Sequence, residues 1–268
     1  MPELPEVESV RNGLQPIVGR RIIRASLFRR DMLESLSAPL NIPRAMLQGR
    51  RVERIDRVGK QLGIIADGGS VLGIHLGMTG QMIVSHPDLP RSTHDHAHWV
   101  LDDGLALTFR DPRRFGGLRA AHSASELFEN LGPDALEIRA KELKLGCGNS
   151  TRSIKAALLD QRVLAGVGNI YADESLFRAR IRPSKECRCM TDDQFRALAG
   201  SIRKVLSEAI SYGGSTLRDY RKPDGERGEA QRLHRVYGRA GMPCINCQTT
   251  LKSDTIGQRT TVWCPRCQ

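Results

Sequence analysis

Long apolar runs are missing from this chain of 268 residues. Nowhere do about 18 apolar residues follow one another, so no membrane-spanning helix is expected. The N-terminal stretch is acidic and lacks both the basic flank and the apolar region of a secretory signal, which sets the expectation of a cytosolic protein. There is no internal repeat, so no solenoid or propeller is expected. A disulfide framework is missing too. The seven cysteines are odd in number and four of them form a tight pattern, which speaks for a metal site. Cys147, Cys187 and Cys189 are left over and read as reduced thiols, because the three lack a fourth ligand at usable spacing. Acidic residues are the minority, 30 against 41 Lys and Arg, for a net charge of +11. An acidic polymer is therefore the leading class of partner. The imbalance grows along the chain, from 17 basic against 15 acidic residues in 1–133 to 10 against 5 in 218–268.

The first eight residues, Met1-Pro2-Glu3-Leu4-Pro5-Glu6-Val7-Glu8, hold two prolines and three carboxylates ahead of any core element. Removal of Met1, usual before a small residue, would leave a secondary amine at Pro2 beside the acid of Glu3. An α-amino group titrates near ~7.7–8.0, against ~10.4 for a lysine side chain, so much more of it is a free nucleophile at neutral pH. Attack of a secondary amine on an aldehyde-level carbon gives a cationic iminium, an electron sink for elimination, and Glu3 could supply the proton such an attack needs. The same residues also suit an ordinary helix start, with Pro5 in the first turn and Glu6 and Glu8 at the positive end of the dipole.

Residues 5–18 read as a helix with Val7, Val10, Leu14 and Ile17 on one face, ended by Gly19. From there to about Leu118 the chain reads as strands. Asp67-Gly68-Gly69 and Asp102-Asp103-Gly104 sit between apolar runs as hairpin turns, which points to a sandwich or barrel closed by the first helix. Beyond Leu131-Gly132-Pro133-Asp134 the pattern turns helical. A short helix is expected over Ser153 to Asp160, then a glycine-rich turn Ala165 to Asn169, then a helix from Ile170 to Ala179. Thr191-Asp192-Asp193-Gln194 is a capping box opening a longer helix with Phe195, Leu198, Ile202, Val205, Leu206 and Ala209 inward, stopped by Gly213-Gly214. Residues 215–232 are polar without periodicity and are expected to form a mobile loop.

Cys244-x2-Cys247 and Cys264-x2-Cys267, sixteen residues apart, are the strongest signal: four thiolates close a tetrahedral structural zinc site with no position left for catalysis. Arg259, between the pairs, could meet a phosphate or be an ordinary surface arginine. The helix–turn–helix at 153–179 could present backbone N–H groups to phosphate, with Asn169 at the start of its second helix and Lys155 on its first. Asn169 could equally be an N-cap, and Lys155 a solvated lysine. Asp111-Pro112-Arg113-Arg114-Phe115-Gly116 offers guanidiniums for a base edge and an aromatic wedge. Met78 is a flexible filler flanked by glycines. Taken singly, Phe115 and Met78 would be read as core residues, and Lys60, after Gly59, as unremarkable.

Together these segments resemble the formamidopyrimidine-DNA glycosylase family. They are Pro-Glu-Leu-Pro-Glu-Val-Glu at the start, Gly59-Lys60, His75 to Met78, Asp111 to Gly116, Gly166 to Tyr171, Val236-Tyr237-Gly238-Arg239 and the four-cysteine finger. The resemblance covers essentially the whole chain. It implies an α+β protein with an N-terminal β-sandwich domain over 1–132, a helix–two-turns–helix domain over 133–232 and a zinc finger over 233–268. It also implies a monomeric bacterial enzyme of base-excision repair, working in the cytosol on duplex DNA that carries an oxidised purine or abasic site, with one structural zinc ion. Pro2 would be the nucleophile on C1′, Glu3 the acid for sugar-ring opening, and Glu6 a supporting group. Lys60, counted with the catalytic set, would bind phosphates around the extruded nucleotide together with Asn169 and Arg259; Lys155, from its helix position, and Tyr237 are further candidate DNA contacts. Met78, Arg113 and Phe115 would fill the gap it leaves. Extrusion of this kind costs a few kcal/mol that such contacts must offset. The endonuclease VIII branch, for oxidised pyrimidines, usually has glycine where this chain has Leu4 and lacks the filling set. A non-catalytic zinc protein on the same scaffold would bind lesions without cutting. One departure stands out: Ala230 replaces the usual aromatic and His234 the usual leucine in the loop that folds over the flipped base. Weakened 8-oxoguanine excision relative to formamidopyrimidine is therefore expected.

Overall fold

The computed structural model describes residues 1–35, 41–88, 90–216 and 225–268. It divides into two compact units, one of 1–129 with 213–229 and one of 130–212 with 230–268. In the first unit α1 (Leu4–Gly13) buries Val7 and Val10, and a 3-10 turn, Gln15–Ile17, continues the apolar face with Leu14 and Ile17. The single helix expected over 5–18 is thus broken. Pro16 has no N–H to give the carbonyl four residues back, and the chain tightens to three-residue spacing.

Two sheets follow. One has the order β1 (Ile22–Leu27), β7 (Asp95–Leu101), β8 (Ala106–Arg110), β6 (Gln81–Ser85). The other has the order β2 (Leu33–Ser35), β9 (Gly117–Ala121), β5 (Val71–His75), β4 (Gln61–Ala66), β3 (Val52–Val58). Both glycine-containing turns close antiparallel hairpins, β4 on β5 and β7 on β8. The strands meet as a sandwich and not a closed barrel: one core takes Trp99, Leu107 and Phe109 from the first sheet, Leu62, Ile64, Leu72 and Ile74 from the second, and the apolar stripe of α1. Trp99 Nε1–H is satisfied inside that core by the Met46 carbonyl at 3.0 Å, just after the short helix α2 (Ile42–Ala45). A second, smaller cluster lies under α3 (Ala124–Phe128), where Leu127 approaches so closely that Gly73 has no room for a Cβ.

The second unit is helical, then fingered. It contains α4 (Ala140–Cys147), α5 (Ile154–Leu159), α6 (Asn169–Ala179) and α7 (Asp192–Ser211), then the hairpin of β10 (Lys252–Ile256) and β11 (Arg259–Trp263). Ser153 caps α5 and the Thr191/Gln194 box caps α7, whose Phe195, Leu198, Ile202, Leu206 and Ala209 are buried. Helix α4 escaped the periodicity reading because it buries only Leu143 and Cys147. Residues 217–224 of the expected mobile loop lie outside the described residues. Its described ends are tied down: Ser215 bridges Glu229, and the Gly228 N–H donates to Thr216 Oγ1 at 2.9 Å. Among the described residues no helix is long and apolar enough to cross a membrane.

Candidate active site and nucleic-acid interface

In the first unit, Pro2 and Glu3 are buried ahead of α1, with Glu3 only 4% exposed. Glu6 holds this corner with both oxygens. Its Oε2 accepts the Glu3 N–H at 2.7 Å, and its Oε1 accepts the Ser215 N–H at 2.7 Å across more than two hundred residues of chain. Lys60 forms, with Gly59, the tight turn between β3 and β4 and is 8% exposed. That turn is braced by Arg57, which donates to Glu8 at 2.6 Å and to the Gly59 carbonyl at 3.1 Å. The Glu8 carboxyl is buried, which opposes ionisation, yet hydrogen bonds and charge from Arg11 and Arg57 hold its pKa below the ordinary value.

Met78 and Phe115 are not core residues: they are 40% and 54% exposed. The Arg113 guanidinium stacks over the Phe115 ring, 4.7 Å from its centroid. Two loops carry these three side chains, and one carboxylate joins them. Asp111, fully buried, accepts from the Thr79 hydroxyl, from Arg113 N–H at 3.2 Å and from Gly116 N–H at 2.7 Å, while its own carbonyl meets His96 Nε2 at 2.8 Å. The backbones touch as well. A Cβ on Gly77, whose φ is +57°, would lie 2.3 Å from the Phe115 carbonyl carbon. Only glycine tolerates both the angle and the approach.

In the second unit, the N-cap of α6 is Gly168, so Asn169 is the first helical residue and its side chain caps nothing. It is half-buried and donates from Nδ2 to the Thr260 carbonyl at 2.9 Å. Arg259, exposed, begins the strand that Thr260 continues. Glu174, 5% exposed, accepts three successive backbone N–H groups, of Arg235, Val236 and Tyr237, at 2.8–3.0 Å. Burial nevertheless keeps its pKa above the ordinary carboxylate value. Tyr237 stands edge-on to the His234 ring, 5.5 Å between centroids. The four finger sulfurs lie within 4.8 Å of one another. Tetrahedral Zn–S bonds of about 2.3 Å would put the sulfurs about 3.8 Å apart, and Cys247–Cys264 and Cys244–Cys267 stand at 3.5 and 3.9 Å. Asn246 and Cys267 N–H groups point at Cys244 and Cys264 Sγ, each at 3.4 Å, as donors to thiolates would. The donor set fits a metal ion.

Comparison with known proteins adds an independent line. The formamidopyrimidine-DNA glycosylase N-terminal domain model matches residues 1–118, and the formamidopyrimidine-DNA glycosylase H2TH domain model matches 131–221. A formamidopyrimidine-DNA glycosylase of Hahella chejuensis is 41% identical over the full length of both chains. The crystal structure of the MutM (Fpg) protein from Thermus thermophilus is similar with a TM-score of 0.86 at 40% identity, covering 100% of this chain and 98% of that one. A Lactococcus lactis Fpg variant, solved with a Fapy-dG-containing DNA, gives 0.88 at 32% identity, covering 100% and 99%. The chain belongs to the formamidopyrimidine-DNA glycosylase family.

Two expectations from the sequence need correction. Lys155 cannot reach a phosphate from where it sits. It is wholly buried, ion-paired with Asp173 Oδ1 at 2.6 Å, and bonded to Thr261 Oγ1 at 2.8 Å and the Thr260 carbonyl at 3.2 Å, so its three donors point inward. Asp173 in turn accepts Val262 N–H at 3.0 Å, and burial lifts its pKa to about 6 against the pull of Lys155. Ala230 is equally misjudged. It is 1% exposed in the 3-10 turn Ala230–Leu233 of the second unit, beside Val205 and Ala209 of α7, so the missing aromatic is a packing residue. Asp111, Asp173 and Glu174 were passed over in the sequence. Asp111 opens an Asp-Pro turn, and Asp173-Glu174 sit among apolar residues of one helix, which were the available signals.

Asp111→Ala should leave the Thr79 hydroxyl and two loop N–H groups without an acceptor, at a cost of about 2–4 kcal/mol in denaturant unfolding. A variant with unchanged stability would show that the carboxylate does not hold the loops. His234 supplies a pH test. Burial depresses its pKa from 6.5 to about 4, so the unfolded chain takes up a proton first as pH falls. Stability should decline between pH 6.5 and 4, and His234→Leu should remove about 2 kcal/mol of that decline. Parallel stability–pH curves for the two proteins would refute this.

Proposed function

We propose that this chain is a bifunctional DNA glycosylase and abasic-site lyase that excises oxidised purines, 8-oxoguanine and formamidopyrimidines, from duplex DNA. The observation that carries this reading is the platform of Met78, Arg113 and Phe115. Two large apolar side chains and a stacked guanidinium are held in solvent by loops tied to a buried carboxylate, which suits filling a gap in a base stack. The platform belongs to the same unit as the Pro2–Glu3 corner.

With Met1 removed, the Pro2 amine attacks C1′ of the extruded nucleotide, the C1′–N bond to the base breaks, and Glu3 protonates the ring oxygen as the sugar opens. The resulting iminium acidifies the C2′ hydrogen. Loss of that proton expels the 3′ phosphate by β-elimination, and δ-elimination then expels the 5′ phosphate. Glu6, by gripping the Glu3 and Ser215 N–H groups, positions the acid. Lys60, Asn169, Tyr237 and Arg259 serve the DNA backbone. A zinc ion on Cys244, Cys247, Cys264 and Cys267 would stiffen the hairpin that carries Arg259 and supply no chemistry, since four thiolates fill its coordination. In this reading the modules are 1–132, 133–232 and 233–268, and the protein acts as a monomer in the bacterial cytosol.

Borohydride reduction in the presence of an 8-oxoguanine duplex should trap a covalent adduct on the peptide beginning at Pro2. Trapping on Lys60, or none from protein shown to lack Met1, would overturn the assignment. Cys264→Ser should lose metal together with at least tenfold in duplex affinity, and binding by the parent protein should weaken steeply with salt. Full affinity in the metal-free variant would remove the finger from the DNA site.

A further inference from the structure

The Pro2–Glu3 corner and Lys60 come from segments far apart in the chain, and one buried ion pair joins those segments. Glu8 lies on α1, the helix whose N-cap is Glu3. Arg57 is the last residue but one of β3, just before the Gly59–Lys60 turn. Their side chains are 7% and 11% exposed, Arg57 and Glu8 respectively, and meet Nε to Oε2 at 2.6 Å. The carboxylate is held on its other side too. Its Oε1 accepts from Arg11 Nε at 3.0 Å and Nη2 at 2.6 Å, from the next turn of the same helix. The guanidinium is likewise held twice, because Arg57 Nη1 donates to the Gly59 carbonyl at 3.1 Å. That carbonyl belongs to the peptide from which Lys60 hangs, and Gly59 carries the chain through the turn at a φ of +58°.

We propose that Glu8 and Arg57 are a positioning pair for the imine-forming step, fixing the Gly59–Lys60 turn to the helix that carries the N-terminal corner. This rests on the reading of Pro2 as nucleophile and of Lys60 as a contact of the reacting nucleotide. Neither Glu8 nor Arg57 touches substrate; both act through Lys60. Apolar packing alone would not set this register. Val7 and Val10 seat α1 in the core, but burial of apolar surface is non-directional and leaves a helix able to rock or slide. A guanidinium has its donors in one rigid plane, so Nε on Glu8 and Nη1 on Gly59 fix those two oxygens relative to each other. Burial opposes ionisation of Glu8, yet the hydrogen bonds and charges of Arg11 and Arg57 prevail, so the contact is ionic and charge-assisted. Misplacing a group that assists a reaction by about 1 Å costs on the order of a hundredfold in rate, which gives a brace on the Lys60 peptide leverage over the chemistry.

Arg57→Lys separates geometry from charge: an ammonium on a flexible stem can still neutralise Glu8 but lacks the two fixed directions. The metal-loaded full chain, shown to lack Met1, is compared with this variant in two measurements. One is hydrogen exchange of the backbone N–H groups of residues 58–61, followed by mass spectrometry. The other is the single-turnover rate of borohydride-trappable adduct formation on a duplex with one abasic site. Exchange at 58–61 should quicken about fivefold or more while the rest of the chain is unaltered. Trapping should slow roughly tenfold or more. In a Lys60→Ala background the same substitution should slow trapping no further, because the pair acts through Lys60. Equal slowing in both backgrounds would assign the pair to the fold at large and overturn the positioning role, as would unchanged exchange or unchanged trapping. Glu8→Gln, which keeps the shape and removes the charge, should quicken the same exchange and takes the place of Arg57→Lys if that variant does not fold. A parent that forms no adduct fails the Pro2 reading itself; a parent that does, beside an equally fast Arg57→Lys, fails only the positioning pair.

Discussion

Backbone N–H groups taken out of water must find an acceptor, and the loops that matter here turn too sharply to supply their own. Buried carboxylates do it for them. Asp111 gathers the two loops of the Met78–Arg113–Phe115 platform by holding its own loop's N–H groups and the Thr79 hydroxyl of the other, and Glu6 ties the start of α1 to Ser215. Glu174 takes three consecutive N–H groups before the finger, and Asp173 takes one from β11. A carboxylate has about four acceptor positions and no donor, so one side chain can fix several backbone groups that have no regular ladder. Each of the four has at least one partner far away in sequence, Thr79 for Asp111, Ser215 for Glu6, Arg235 to Tyr237 for Glu174 and Val262 for Asp173, which makes these bonds stitches between segments that local propensity could not join.

This use of acid inside a chain of net charge +11 has an electrostatic consequence. Desolvation outweighs attraction at Asp173, whose pKa stands near 6 although Lys155 lies 2.6 Å away. A buried pair of that kind contributes little net stability, but removing one partner alone strands the other. Its geometric role is clearer. Lys155 and Asn169 both donate to the Thr260 carbonyl, so the residue next to Arg259 is located by two helices at once. Lys155 thus acts on the finger strand, and the exposed Arg259 is left to face outward.

The sandwich, the α5–turn–α6 pair and the finger were legible because their signals are local: alternation broken by Asp-Gly turns, a serine cap, cysteines two apart. Gly77 and Gly116 were visible as glycines, but the contact that requires them joins residues far apart in sequence. Lys155 read as a surface cation because one lysine on a short amphipathic helix carries no mark of a buried partner on the next helix. Ala230 was misplaced for the opposite reason: family likeness located it in a loop, while its small side chain sits in the packing against α7. The break in the first helix was written plainly in Pro16, and the apolar stripe across it masked the stop.

Met78 and Phe115 show why the platform needs such firm anchoring. Apolar surface in water is unfavourable by about 25 cal/mol per Å², so two large exposed side chains on neighbouring loops would gain by folding inward over the nearest apolar surface. Three features oppose that collapse. Gly77 and the Phe115–Gly116 peptide are already in backbone contact, so the loops cannot close further. Sliding the loops apart would break the bond from the Thr79 hydroxyl to the buried Asp111 carboxylate and the one from Arg113 N–H to Thr79 Oγ1. Arg113 covers one face of the Phe115 ring while staying hydrated, which lessens the exposed apolar area without burying the ring. In the role proposed for it, the ring would be presented with little ordering cost at the moment of binding, the condition under which filling a vacated base position can repay extrusion of the base.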